Sequence, residues 1–170
     1  MVNEVWRPIH GFPAYSISSL GRLCYINTGR IMATSRTSFG HAKISIIDSE
    51  KCRRTMSVAL LVAEEFVEPP DELSDNVILL DGDLQNVEAS NLALRPRWFA
   101  WKYARQLRID NSNFRLIPIY NVSLGRFYPS IFDCGTEHGL LFSDILRSAN
   151  TGAGVYPYGW RFEFPENMRV

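Results

Sequence analysis

"NVILLDGDLQNVEASNLALR", residues 76–95, decides how the chain folds. Val77 to Leu80 is a short apolar run that suits a buried strand. Asp81-Gly82 follows and marks a tight turn, because glycine accepts positive φ and aspartate bonds the backbone just beyond it. Asn86 and Asn91 read as turn and cap residues, so Asn86 to Leu92 is expected to be a turn that feeds a helix over roughly 97–108. The polar groups sit in the turns. The strand itself offers Ile78 and Leu79, which neither take a proton nor bind a cation.

At the end of this stretch the charge changes sign. Residues 71 to 94 hold Asp71, Glu72, Asp75, Asp81, Asp83 and Glu88 and no Lys or Arg. Residues 95 to 115 hold Arg95, Arg97, Lys102, Arg105, Arg108 and Arg115 against Asp110 alone. The formal net charge is 0, with 18 basic and 18 acidic residues, so the total argues against a strongly basic nucleic-acid binder. That balance hides a concentrated cationic segment. A length of 170 residues, 46 % of them hydrophobic, suits one moderate domain or two small ones.

Upstream, "VALLVAEEF" at 58–66 has apolar residues at helical spacing and is stopped by Pro69-Pro70. "GHAKISII" at 40–47 and "EKCRRTMSV" at 50–58 suit a hairpin. "AYSIS" and "GRLCYI" read as short strands punctuated by Gly21 and Gly29. Downstream, "DNSN" at 110–113 reads as a linker. Two strand-like pieces around Gly125, a short helix, a second helix from Phe142 to Ala149 and a closing strand at 158–164 follow. Cys24, Cys52 and Cys134 form no Cys-x-x-Cys pair, so three buried free thiols are expected. With no signal peptide and no apolar run near the ~20 residues that span a bilayer, the expected location is the cytoplasm.

Three stretches together resemble the phage HNH homing endonuclease family. Trp6, Gly11-Phe12, Tyr15, Ser18 and Gly21-Arg22 resemble an N-terminal nuclease-associated modular domain. "LVAEEF" at 61–66, Pro69, Asp81-Gly82, Asn86 and Asn91-Leu92 resemble the HNH domain that follows it. "IPIYNVSLGRFYPSI" leading to "GWRFEF" resembles a helix-turn-helix module flanked by strands. The resemblance implies an α+β chain with a strand-rich module at 1–39, a degenerate ββα-metal core at 40–108, a linker at 109–115 and the helix-turn-helix module at 116–170. In such a core a histidine activates water and a metal neutralises the phosphate. Here the base position falls on Leu79, the metal ligands on Ile78 and Ala100, and the preceding His-Arg pair on Ala59 and Leu60.

The resemblance therefore implies a scaffold that no longer hydrolyses: not an enzyme, with no metal and no cofactor. His10, His41 and His138 fall in three different segments and suggest no replacement site. What remains is binding of double-stranded DNA, in a phage regulatory role within the host cytoplasm. Arg95, Arg97, Lys102, Arg105 and Arg108 are the expected phosphate contacts. Trp98 and Trp101 either join that face or fill the core. Ser143, Arg147 and Asn150 are expected near bases, at the start and along the second helix of the module. The module at 116–170 carries four bases and five acids, which favours DNA less and leaves open a protein partner such as transcription machinery, with the acidic stretch 71–94 facing a basic surface. An active metal-dependent HNH endonuclease is the second alternative.

Overall fold

Alternating apolar and polar residues build the first sheet, in which β1 (Trp6–Ile9), β2 (Phe12–Ser18) and β3 (Leu23–Tyr25) pair antiparallel in that order. The computed structural model describes residues 3–165. A second antiparallel sheet follows from β4 (Ser35–Arg36), β5 (Ala42–Ile47) and β6 (Arg53–Ser57), with β5 in the middle. Ile44 and Ile46 turn inward from β5 and are buried. The expected hairpin at 40–58 is this β5–β6 pair, in register from Lys43 opposite Ser57 to Ile47 opposite Arg53.

Helix α1 (Val58–Phe66) coincides with the expected helix. Ser57 caps it, and Val58, Ala59, Leu61, Val62 and Ala63 are all buried. Five inward residues in six make α1 the spine of a core that also takes Ile9, Tyr15, Ile17 and Leu23 from the first sheet. β7 (Asn76–Leu79) then pairs antiparallel with β8 (Leu92–Arg95), after a single 3-10 turn at Ala89–Asn91. Leu92 and Leu94 of β8 complete the same core.

The chain divides into two compact units, Met1–Arg95 and Pro96–Val170. The modules expected at 1–39 and 40–108 thus share one core up to Arg95, while 96–108 belong to the second unit. Gly21 shows how closely they approach: it stands at φ 80°, and a Cβ on it would come within 2.3 Å of the Val87 side chain. Ala89 N also donates to Ser19 O at 2.8 Å.

The second unit begins with α2 (Arg97–Arg108), at the expected position. The segment expected as a linker contains a short helix, α3 (Ser112–Arg115). β9 (Ile119–Asn121) lies between β10 (Arg126–Tyr128) and β11 (Phe162–Glu163) in an antiparallel sheet. The expected seven-residue closing strand is therefore only two residues long, with an isolated bridge from Val155 to Trp160 before it. α4 (Ile131–His138) and α5 (Phe142–Thr151) sit beside this sheet. Ile119, Tyr128, Ile131, Cys134, Leu140, Phe142, Ile145 and Phe162 form the core of this unit.

The thiols differ from expectation. Cys134 is buried, Cys24 is half-buried and Cys52 is exposed, all three free. Cys52 lies just beyond the Asp48–Lys51 turn, immediately before β6. Among the described residues, no helix is long and apolar enough to cross a membrane.

Candidate nucleic-acid interface

The β7–β8 hairpin is held together by side chains that keep their polar atoms for one another. Asp81 Oδ1 accepts from Asp83 N at 2.8 Å and from Asn91 Nδ2 at 2.8 Å. Asp81 Oδ2 accepts from Asn86 Nδ2 at 2.7 Å. Asn91 Oδ1 accepts from Asp81 N at 3.1 Å, and Asn91 Nδ2 also donates to Asn86 O at 2.8 Å. Both carboxylate oxygens and both ends of the buried Asn91 amide are thus engaged in shaping the turn. Asp81, Asn86 and Asn91 stand where turn chemistry needs them.

Ile78, opposite Ala93 on β8, is 3 % exposed. Leu79, opposite Leu92, packs on the core of the first unit. Ala59 is buried on α1. Ala100 lies on α2, in the second unit. Among the described residues, the group of acids and thiols spaced to hold a metal is Asp48, Glu50 and Cys52, at the β5–β6 turn. Its Asp48 accepts from the backbone N–H groups of Glu50 and Cys52 and from Arg54 Nε at 2.9 Å. The Arg54 guanidinium and those N–H groups hold the Asp48 carboxyl below its usual range.

Helix α2 presents two different faces. Phe99 and Tyr103, four residues apart, point inward and are fully buried, with their rings stacked at 6.3 Å. Trp98 and Trp101 are 51 % and 62 % exposed, so the tryptophans do not fill the core. Arg97, Lys102, Arg105 and Arg108 are exposed, and none has an ion pair among the described residues. Arg95 departs from expectation. It is 2 % exposed at the end of β8, and its Nη1 donates to Leu94 O at 2.8 Å. A guanidinium held in this way is not presented to a phosphate, so the cationic surface starts at Arg97.

α4 and α5 are joined by Gly139, Leu140 and Leu141. Ser130 caps α4 by accepting from Asp133 N at 3.0 Å, and its hydroxyl donates to Asp133 Oδ2 at 2.7 Å. α5 begins on Leu141, which has no capping side chain of its own. Gln106 of α2 serves instead: its Oε1 accepts from Phe142 N at 3.0 Å and its Nε2 donates to Leu140 O at 3.0 Å. One amide thus ties the basic helix to the first turn of α5. Gln106 escaped the sequence reading; its only trace there is its place three residues after Tyr103, on the inward stripe of α2.

Phe142, Ile145 and Ser148 face inward from α5. Ser143, Arg147 and Asn150 are exposed at i, i+4 and i+7 and so share one face. Arg147 is paired with Asp144 at 3.3 Å, and Asn150 Nδ2 donates to Leu146 O at 2.8 Å. At the end of α4, Tyr128 Oη lies 2.6 Å from His138 Nε2, and the Trp160 ring meets the imidazole edge-on at 5.0 Å. Burial holds the His138 pKa below its usual value and pushes the Cys134 thiol up to about 12.

Residues 4–44 match the NUMOD4 motif, which is found in homing endonucleases. A solved structure of the HNH homing endonuclease I-HmuI is similar over 96 % of this chain and 99 % of that chain, with a TM-score of 0.54 and 22 % sequence identity. No curated protein matches. The mixed α and β fold, with its small sheets and five α-helices among the described residues, is thus like that of an HNH homing endonuclease.

Proposed function

We propose that this chain is a DNA-binding protein derived from an HNH homing endonuclease, which holds duplex DNA without cutting it and acts as a phage regulator. The similar enzyme I-HmuI binds and cleaves DNA. The observation that carries the non-catalytic half of the proposal lies on β7. Hydrocarbon side chains, Ile78 and Leu79, occupy the two strand positions that the HNH resemblance assigns to a metal ligand and a base. Asp81, the nearest carboxylate, has both oxygens hydrogen-bonded within the turn.

Binding is supported by the exposed Arg97, Lys102, Arg105 and Arg108 of α2, whose charges suit a row of phosphates. Gln106 then sets α5 from the same helix, so a phosphate grip on α2 fixes the start of α5. In this role α4 and α5 act as a helix-turn-helix, with Ser143, Arg147 and Asn150 toward base edges. Arg95 has no part in it.

A supercoiled plasmid incubated with magnesium or manganese, alongside equilibrium binding across a salt series, tests both halves. Binding that weakens steeply with salt and leaves the plasmid intact is the expected result. Robust nicking that Asp81→Ala abolishes would instead mark an active endonuclease. Capture of a protein partner that survives nuclease treatment, with no salt-dependent DNA binding, would favour the acidic stretch as the interface; Glu72, Asp75 and Asp83 are exposed there.

A further inference from the structure

Phosphate binding by α2 leaves its two exposed indoles unexplained. We propose that Trp98 and Trp101 form a stacking platform for unpaired bases, so that the protein prefers locally single-stranded DNA to continuous duplex. This rests on the assignment of α2 as the nucleic-acid surface and specifies what that surface takes.

Tryptophan usually buries most of its large apolar surface. Here Phe99 and Tyr103 fill the core, and both indoles remain more than half exposed. They stand three residues apart, on one side of the helix and one turn from each other. Trp98 is held in place by Phe99 at 5.6 Å and Tyr156 at 5.8 Å, so its plane is set before any ligand arrives. Each indole also carries its own cation. Lys102 Nζ lies 5.2 Å from the centre of the Trp98 ring, and Arg105 Cζ lies 5.4 Å from that of Trp101. The helix contains no acid.

An aromatic face beside a cation is what an unpaired nucleotide needs, one for the base and one for its phosphate. A continuous duplex uses only the cations, because its base faces are stacked on each other. An apolar protein partner would use only the indoles and would bury four charges without compensation. Charge complementarity therefore selects nucleic acid with exposed base faces.

The test uses the full chain, a labelled duplex and the same duplex carrying a short single-stranded gap, with affinities read by fluorescence anisotropy. The gapped form is expected to bind about ten-fold more tightly. Trp101→Ala, at an exposed position that leaves the core untouched, is expected to erase that preference while duplex affinity stays within about two-fold. Trp101→Phe is expected to keep much of the preference. Equal affinity of the unaltered protein for the two DNAs, or a preference that survives Trp101→Ala, would overturn the platform while leaving the duplex-binding assignment standing. Absence of salt-dependent binding to either DNA would overturn that assignment and the platform with it. Self-association in sedimentation that Trp101→Ala abolishes would make a second copy the occupant and also overturn the proposal.

Discussion

In the β7–β8 hairpin, Asp81, Asn86 and Asn91 direct their side chains at one another and at the backbone. In α2, Arg97, Lys102, Arg105 and Arg108 have no ion pair among the described residues, and two indoles stand exposed between them. The two regions are separated by little more than Pro96 in sequence. In the hairpin, polar groups satisfy polar groups and make a rigid turn. In the helix, the four charges face solvent without a carboxylate partner among the described residues, and Lys102 and Arg105 lie over the rings of Trp98 and Trp101. The closed hydrogen-bond network has its explanation in the fold, whereas the exposed cationic face is the surface on which the proposed phosphate contacts rest.

The sharpest way to break this contrast is to put a charge into the hairpin. Ile78→Asp buries a carboxylate with no partner provided, and should cost about 3–4 kcal/mol in urea unfolding. A cost near zero would mean that the surroundings of Ile78 are polar and hydrated, and would reopen a catalytic role for β7. Next comes Asn91→Ala, which removes three hydrogen bonds from a buried side chain and strands Asp81 N; about 2–3 kcal/mol is expected by the same measurement.

Arg105→Ala should do the opposite of both. Stability should stay within about 0.5 kcal/mol, since the side chain is exposed. DNA affinity should fall several-fold, and the dependence of affinity on salt should lose about one phosphate contact. Unchanged affinity with lowered stability would make α2 a structural helix and collapse the comparison.

The smallest effect lies away from both regions, at His138. Its folded pKa is depressed by burial, so the unfolded chain takes up the proton more readily. Stability from this group is present above the ordinary histidine value of about 6.5 and declines as the pH falls through the folded pKa. The urea midpoint of the protein should therefore drop below pH 6.5 and stay level above it. His138→Gln should flatten that slope, although its loss of the Tyr128 contact lowers the whole curve.

Sequence was enough for α1 and α2, whose boundaries follow from helical spacing and from the prolines beside them. It was enough for the Asp81-Gly82 turn, for the β5–β6 hairpin and for the two helices around Gly139, because these depend on neighbours along the chain. Ser143, Arg147 and Asn150, expected near bases, are exposed on α5, but their common face emerged only with the helix itself. Sequence overlooked β8: Leu92–Arg95 is too short to announce itself and becomes a strand only by pairing with β7. The folded chain alone decided which aromatic pair of α2 faces inward, since Trp98 with Trp101 and Phe99 with Tyr103 both form apolar stripes at helical spacing. It also decided that Arg95 is buried while Arg97 is free, and that Gln106 caps a helix thirty-six residues away. Spacing along a chain specifies a periodic element, but the face that element buries depends on what packs against it, and those partners come from distant parts of the sequence.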